Sequence, residues 1–361
     1  MIDTLGRGGA EQVLVNLLPV LKKNGIQIEV ISLMEPSPLA AELEKQGIPV
    51  HLLRLSNRWN LLEGFFKLRK VLKNKQFDII HGHLFFGGIY SRILRMWYPN
   101  AKVVYTLHGF EFDRDLPDTF WHRIRLRMRK RILKRAHRLV AITAAVKEHY
   151  EHALGDILVQ VISNPVVVPR FEKTKTTSET KKKQIVVPAR LIPEKGHLIM
   201  LEALSLLLLS GVQFRCSFLG EGPERATIEE KIFNLGLSDC IFLRGQLSHD
   251  DLLIEVFESD WVVLPSLSEG FGLAAAEAMA MGKPVIASNT GGLVNLIESG
   301  KTGILVPAHD PSALFRAMKD FAEEKLPILA LGVAAKVSIE RKFSREQIAL
   351  AWEKLYQEIC P

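Results

Sequence analysis

Short apolar runs rich in β-branched residues alternate along this chain with longer segments of helical periodicity. The strand-like runs lie at 28–31, 77–80, 103–106, 139–142, 184–187, 214–219, 241–243, 261–264 and 284–287. The helical segments lie at 11–23, 61–73, 198–209 and 272–281. This alternation is typical of parallel α/β units. It predicts an α/β fold of two Rossmann-like, doubly wound domains, in which ligands bind beyond the carboxyl ends of the strands.

A polar segment without aliphatic residues interrupts this pattern near the middle of the chain. The length of 361 residues also exceeds the roughly 250–300 at which single cores stop growing, so two domains are expected. We predict an N-terminal domain over 1–171, a linker over 172–183 and a second domain over 184–340. Residues 341–361 are expected to form a C-terminal helix that packs back toward the N-terminal domain.

The first strand of the N-terminal domain is short in this sequence. Only Met1 and Ile2 precede the segment that leads to Gly6, whereas a strand of about 5–6 residues is usual. Either the strand is nearly missing or the sequence starts late. We favour the late start, because losing a central strand would leave the backbone groups of its neighbours unpaired.

Composition points to a globular cytoplasmic protein. Hydrophobic residues make up 47% and charged residues 24%, and no run approaches the ~20 apolar residues of a spanning helix. The beginning of the chain lacks the pattern of a secretory signal. Three widely spaced cysteines form neither a disulfide framework nor a zinc motif. The net charge is +7, but it is unevenly distributed. Residues 1–170 contain 26 basic and 15 acidic residues, a net charge of +11, and the rest contain 21 basic and 25 acidic residues, a net charge of −4. This asymmetry favours different partners for the two domains.

The segment 264–282 carries the strongest chemical signal. A buried strand ends at Leu264, a loop with Gly270 and Gly272 follows, and an Ala-rich helix begins. Glycines let a ligand approach the backbone, and the free N–H groups of a helix start attract phosphate. Glu269 in the loop and Glu277 in the helix could then hold hydroxyl groups of the same ligand. Taken alone, Glu277 is equally an ordinary helix residue and Glu269 a complement to the helix dipole.

Two further features follow predicted strands. Arg190 and Lys195 come after the strand at 184–187, where cations could neutralise a diphosphate leaving group. By spacing alone they could as well be solvated surface cations. His108 follows the strand at 103–106, whereas His81 and His83 follow the strand at 77–80; single histidines of this kind are more often structural.

The ordered motifs of the chain resemble those of retaining glycosyltransferase family 4, the group 1 glycosyltransferases of GT-B fold. The resemblance rests on Glu-x7-Glu with Gly-Phe-Gly after the first glutamate, and on the segments 284–288, 291–292 and 300–307 that follow in order. It implies two Rossmann-like domains facing a central cleft, with the acceptor on the N-terminal side and the donor nucleotide on the C-terminal side. The implied activity is transfer of a sugar, of hexosyltransferase type, from a nucleotide-sugar donor to a hydroxyl acceptor with retention, as in surface polysaccharide, lipopolysaccharide or glycolipid synthesis.

The resemblance also implies roles for individual residues. Glu277 would hold the ribose, Glu269 and His108 would contact the donor sugar, and Arg190 and Lys195 would stabilise the leaving diphosphate. The remaining donor-binding positions, which act mostly through the backbone, would be Gly8, Gly9, Gly220, Gly222, Arg244, Gly245, Gly270, Phe271, Gly272 and Leu273.

Two positions depart from the family pattern. Val167 replaces a frequent Asp near the hinge, where we expect a local packing change, and Asn295 stands where Glu is common. No metal or other cofactor is expected. Asp113 and Asp115 have the Asp-x-Asp form of another glycosyltransferase fold, but the motif is isolated and in the wrong context.

A basic segment lies at 122–138, with nine Arg or Lys residues and apolar residues at helical spacing. A solvated helix that packs one apolar stripe accounts for the helical spacing of the apolar residues. The high density of basic residues indicates docking on an anionic membrane surface or on a phosphorylated glycolipid acceptor. Nucleic acid is not expected, because no binding motif is present. Three other functions stay open from the residues: a sugar-nucleotide epimerase, a phosphorylase and an inactive membrane-associated scaffold.

Overall fold

A computed structural model describes residues 1–6, 8–57, 59–110, 120–155, 157–167 and 182–360, without the side chains at 120–122 and 125. The chain forms two compact units. Unit 1 comprises residues 1–165 and 345–361, and unit 2 comprises residues 166–344. Most of the predicted linker, at 172–181, and both aspartates of the Asp-x-Asp motif lie outside the described residues.

Unit 1 is built on short parallel strands whose inner residues are apolar. Its strands are β1 (Val30–Ser32), β2 (Val50–Leu52), β3 (Ile79–His83), β4 (Lys102–Leu107), β5 (Arg138–Ala141) and β6 (Val159–Val161). β1 pairs with β2, and the other four form a sheet in the order β3-β4-β5-β6, with every pairing parallel. The helices are α1 (Gly9–Lys23), α2 (Ala40–Lys45), α3 (Leu61–Val71), α4 (Leu84–Trp97), α5 (Phe120–Leu133), α6 (Ala144–Leu154) and, from the C-terminus, α14 (Arg345–Ile359).

Residues 1–3 lie between β1 and β3. The amide of Ile2 donates to Ile31 at 3.0 Å, and the amide of His83 donates to the carbonyl of Met1 at 2.9 Å. The predicted gap in the sheet is therefore bridged by this short segment, which pairs in parallel with Ser32. On one face of the sheet, α1 and α14 share an apolar cluster that includes Leu17 and Trp352.

Unit 2 contains one parallel sheet of six strands. They are β7 (Lys183–Pro188), β8 (Phe214–Leu219), β9 (Ile241–Gly245), β10 (Trp261–Leu264), β11 (Val285–Ser288) and β12 (Ile304–Val306), in the order β12-β11-β10-β7-β8-β9. The helices are α7 (His197–Leu209), α8 (Arg225–Asn234), α9 (His249–Glu258), α10 (Leu273–Ala280), α11 (Leu293–Leu296), α12 (Pro311–Ala322) and α13 (Ile328–Phe343). All residues of β10 and β11 are buried, as expected for strands covered on both faces.

The strand order of unit 2 reverses beside β7. The chain runs outward through β8 and β9 on one side, and then returns to place β10 on the other side of β7. The loops that follow β7 and β10 therefore leave neighbouring strands at the carboxyl edge of the sheet, at the reversal point where doubly wound sheets bind ligands.

The α/β fold with parallel sheets is confirmed in both units. The predicted strands at 214–219 and 261–264 coincide with β8 and β10. Among the described residues, none of the helices combines the length and the apolar character needed to cross a bilayer.

Candidate functional site

The loops after β7 and β10 bring two predicted site residues into contact. The Lys195 ammonium pairs with the Glu269 carboxylate, and their side chains are only 18% and 15% exposed. The backbone holds the loops together, because the amide of Leu267 donates to the carbonyl of Glu194 at 2.8 Å. Gly196 permits this approach: a Cβ there would lie 2.0 Å from the carbonyl oxygen of Pro265. The sequence identified both charged residues but not their contact.

Arg190 lies in the same loop after β7. Its side chain is exposed and has no hydrogen-bond or ion-pair partner among the described residues. An exposed guanidinium without a carboxylate partner remains available for an anion, whereas the charge of Lys195 is balanced by Glu269.

The start of α10 is shaped for close approach. Gly272 precedes the helix with φ +91°, and no side chain caps the first amides. These first amides have no partner within the helix, which makes the helix start an anion site in principle. Gly270 and Phe271 are held by the next loop, since the amide of Gly292 donates to the carbonyl of Glu269 at 2.7 Å. A Cβ on Gly292 would lie 2.5 Å from both the Gly270 oxygen and the Phe271 Cα.

Glu277 lies one turn into α10 and is 7% exposed. Burial raises the pKa of its carboxyl to about 8, so this group is mostly protonated at neutral pH. His249, near the start of α9, places Nε2 3.5 Å from Oε1 of Glu277. The sequence did not single out His249, because nothing local distinguishes it from other histidines at helix starts.

The glycines after β8 serve loop packing. A Cβ on Gly220 would lie 2.2 Å from the Ala189 oxygen, and one on Gly222 would lie 2.2 Å from the Leu191 oxygen. These contacts press the loop after β8 against the loop that carries Arg190. Gly245 has φ +71° and bridges to Gly220.

Arg244 is already engaged on the surface of unit 2. Its guanidinium donates to Glu255 at 2.6 Å, and the two side chains are 44% and 25% exposed. A role of Arg244 in donor binding therefore stays a prediction, and it would require Arg244 to leave Glu255 and contact the donor instead.

In unit 1, Gly8 and Gly9 begin α1. A Cβ on Gly8 would lie 2.4 Å from Oε2 of Glu11, whose other oxygen accepts from Thr4 at 3.1 Å. Gly8 thus leaves room for the buried Glu11 carboxylate to fold back over the helix start.

His108 follows β4 and contacts His83, to which the sequence assigned no role. Its Nε2 lies 3.0 Å from Nδ1 of His83, which ends β3. Burial lowers the pKa of His108 to about 4 and that of His83 well below its usual value, so both rings are neutral at pH 7.

The basic segment is helical in α5 only as far as Leu133, since Arg138 begins β5, and one of the arginines of α5 points inward. Arg129 is 3% exposed, donates to the Tyr150 hydroxyl at 3.1 Å and lies over the rings of Phe85 and Tyr105. The other described cations of α5 are at least partly exposed. Beside the helix, Arg92 and Arg95 on α4 lie close enough to Arg135 for burial and mutual repulsion to lower the pKa of Arg92.

No group of three or more potential ligands with the arrangement of a metal site occurs within the part of the chain that the structure describes.

Two family models together match nearly the whole chain. The model described as "Glycosyltransferase Family 4" matches residues 7–170, and the one described as "Glycosyl transferases group 1" matches residues 169–336. Among curated proteins, a D-inositol 3-phosphate glycosyltransferase of Paenarthrobacter aurescens is 27% identical over 351 residues, covering 88% of this chain and 86% of the relative. The amylovoran biosynthesis glycosyltransferase AmsK of Erwinia amylovora is 30% identical over 48% of this chain and 45% of its own length.

Solved structures agree on the fold. HepE of Anabaena, solved in complex with UDP-glucose, is similar with a TM-score of 0.86 at 20% identity, covering 99% of this chain and 98% of that chain. A glycosyltransferase from Rickettsia africae has a TM-score of 0.79 at 24% identity, with coverage of 99% and 97%. The two α/β units are those of the GT-B fold, and the chain belongs to glycosyltransferase family 4, the group 1 glycosyltransferases.

Proposed function

We propose that this glycosyltransferase moves a hexose from a nucleoside diphosphate sugar to a hydroxyl of a carbohydrate or glycolipid acceptor, with retention of the anomeric configuration. The observation that carries the proposal is the convergence of Lys195, Glu269 and the uncapped start of α10 at the reversal point of one sheet. A cation, a carboxylate and free helix amides at one edge suit a ligand that has both phosphates and hydroxyls.

The diphosphate would bind at the start of α10. The amides of Phe271, Gly272 and Leu273 would face its oxygens, and Arg190 and Lys195 would supply positive charge as the leaving group departs. Lys195 would then exchange part of its contact with Glu269 for phosphate, which frees the carboxylate to accept from hydroxyls of the donor sugar. These protein groups could supply the required charge, so the proposed reaction uses neither a metal nor another cofactor.

Glu277 would bind the ribose of the nucleotide. A buried carboxyl that holds its proton can both donate and accept, which matches a pair of sugar hydroxyls. His249 at 3.5 Å gives the carboxyl a partner whose protonation would favour its charged form.

The transfer itself exchanges one bond at the anomeric carbon. The bond to the diphosphate oxygen breaks, a bond to the acceptor oxygen forms on the same face, and the acceptor proton passes to the departing diphosphate. His108 would contact the donor sugar and help to stabilise charge at the reacting centre.

We further propose uridine diphosphate sugars as the first donor class to test, because HepE, which has the same fold, was solved with UDP-glucose. A place in surface polysaccharide or glycolipid synthesis is part of this proposal, and among the relatives the name of the amylovoran biosynthesis glycosyltransferase AmsK supports it. Such acceptors are assembled at membranes. We propose that the chain works on the inner face of the membrane, with the exposed cations of α5 and of the neighbouring α4 toward anionic headgroups.

Thermal-shift and calorimetric titrations with UDP, GDP and their sugars, with and without a chelator, test the donor site. We expect one nucleotide class to raise the unfolding temperature by mass action, unchanged by the chelator. Failure of every nucleotide and nucleotide sugar to bind would contradict the proposal.

Product analysis separates this activity from the alternatives. Isomerised donor formed without an acceptor would indicate an epimerase, and absorbance of a lysine-bound pyridoxal cofactor would indicate a phosphorylase. Membrane binding with no donor turnover would indicate a scaffold. Sugar transfer that requires an acceptor and yields the retained anomer is the result we expect.

A further inference from the structure

Three histidines of unit 1 lie in a row at the carboxyl edge of its sheet. The rings of His81 and His83 from β3 stack with centroids 4.2 Å apart and planes inclined at 28°. The ring of His108, just after β4, lies 5.3 Å from that of His83. The three rings form a continuous path from the interior of the unit to the histidine proposed to contact the donor sugar.

The first ring of this row is held at both nitrogens. His81 Nδ1 lies 2.8 Å from the Tyr356 hydroxyl on α14, and Nε2 lies 2.7 Å from the Thr106 hydroxyl on β4. A ring fixed at both nitrogens is a rigid surface on which the His83 ring can stack. His83 itself is 5% exposed, so its orientation is set by this packing rather than by solvent.

The second contact divides the two nitrogens of His108 into different roles. Its Nε2 shares a hydrogen bond with Nδ1 of His83 at 3.0 Å, whereas its Nδ1 is shielded from solvent and has no partner among the described residues. Because both rings are neutral, the shared hydrogen bond contains one proton, and its position sets the tautomer of both rings. In either tautomer Nδ1 of His108 is the nitrogen left over for another molecule.

We propose that His83 is a positioning residue for His108: by occupying Nε2 it fixes the ring of His108 and couples the tautomers of the two rings, so that Nδ1 meets an oxygen of the donor. This inference rests on the proposed function, since it assigns His108 to the donor sugar. His83 does not contact the substrate in this arrangement and acts only through its neighbour.

The first test compares two substitutions at position 83. His83→Ala removes the hydrogen bond, and we expect kcat to fall by about 10–100-fold with the KM for the donor nearly unchanged, because a misplaced group affects the transition state most. His83→Asn places an amide near the position of Nδ1 and can donate or accept, so it should restore most of the rate. His152→Ala, an exposed histidine of the same unit, is the matched control and should leave kcat unaltered.

A double-mutant cycle separates positioning from a general loss of stability. If His83 acts through His108, His108→Ala and the double variant His83→Ala/His108→Ala should turn over at the same rate. Additive losses, or full activity of His83→Ala, would overturn the inference.

A measurement on the substrate-free protein makes the inference independent of the donor. In ¹⁵N-histidine NMR of the natural chain, only one of the two nitrogens in the shared hydrogen bond should carry a proton, and the His108 signals should change in His83→Ala, where this coupling is lost. An unchanged His108 spectrum in His83→Ala would reject the positioning role. Absence of donor binding by the natural chain would instead contradict the proposed function alone.

Discussion

Lys195 and Glu269 are 74 positions apart in the chain, yet they form an ion pair between the loops after β7 and β10. The Glu269 carboxylate balances the cation that we assign to the diphosphate. Donor binding must compete with this contact. The ion pair gives the partly buried Lys195 a partner until the donor binds.

Replacement of Lys195 by Ala should weaken UDP binding by about 10–100-fold, because a hydrogen bond to a charged group contributes about 1.5–3 kcal/mol. Isothermal titration calorimetry with UDP measures the loss. Lys231→Ala is the control, since Lys231 forms a more exposed ion pair with Glu202 in the same unit. UDP affinity that stays at the natural level in Lys195→Ala would remove Lys195 from the donor site.

Glu277 should make unit 2 less stable as the pH rises. Its pKa is raised from 4.5 to about 8, so between these values the folded chain holds a proton that the unfolded chain has lost. The free energy of unfolding should therefore fall by up to about 1.4 kcal/mol per pH unit in this window through this group. Glu277→Gln cannot ionise and should lose that contribution.

Urea unfolding between pH 6 and 8 measures the slope for unit 2 when it is followed by the fluorescence of Trp261 in a chain whose other tryptophans, all within the ranges of unit 1, are replaced by Phe. Glu230→Gln changes an exposed carboxylate of the same unit and should keep the natural slope. Equal slopes in the natural chain and Glu277→Gln would show that Glu277 is ionised in the folded state.

Much of the fold could be predicted from local pattern. The buried strand β10 is a continuous apolar run, and β8 is buried at every position except the exposed Arg215, so the bounds of both strands could be read from the sequence. The three-residue strands β2, β6 and β12 were missed. They are too short to establish a period of two, and their pairing depends on neighbours that are distant in the chain.

The candidate site was predictable residue by residue but not as an arrangement. Motifs identified Lys195, Glu269 and Glu277, whereas the contact of Lys195 with Glu269 depends on β10 lying beside β7. The position of His249 beside Glu277 is likewise a product of helix packing. The sequence pattern could not distinguish Arg129 from the solvated arginines of the basic segment. Its guanidinium is buried because the aromatic rings around it make burial favourable.

Crowding at the start of α10 makes Gly272 sensitive to substitution. In Gly272→Ala the new Cβ would lie 2.7 Å from Leu293 Cδ2 at φ +91°. Gly211→Ala is the matched control, because Gly211 has φ +85° and open space around it. Each should lose about 1–2 kcal/mol from the left-handed backbone, and Gly272→Ala should lose about 1–3 kcal/mol more from overpacking. Thermal unfolding checks the difference, and equal losses would mean that Leu293 moves aside freely.

Membrane binding should depend on the arginines of α4. Arg92 and Arg95 have no carboxylate partner among the described residues, and Arg92 is repelled by both Arg95 and Arg135. Reversing both to Glu should lower partition onto vesicles with about one third phosphatidylglycerol by at least tenfold, since each basic residue near such a surface contributes about 1 kcal/mol. Cosedimentation measures this, with Lys23→Glu/Lys45→Glu as the control of equal charge in unit 1. Equal loss in both variants would indicate a general charge effect rather than a docking surface.

His197 should limit the stability of unit 2 in acid. The side chain is fully buried at the start of α7, neither ring nitrogen has a partner among the described residues, and burial lowers its pKa to about 4. Between pH 6.5 and about 4 the unfolded chain binds a proton that the folded chain does not, so the free energy of unfolding falls as the pH drops through this window.

His197→Phe fills a similar volume beside Phe218 without polar atoms. It should be about 1–3 kcal/mol more stable at pH 7 and lose less stability at pH 5. Denaturation at both pH values, with exposed His309→Asn as control, measures this; a loss of stability in His197→Phe at pH 7 would mean that the buried nitrogens have partners in solution.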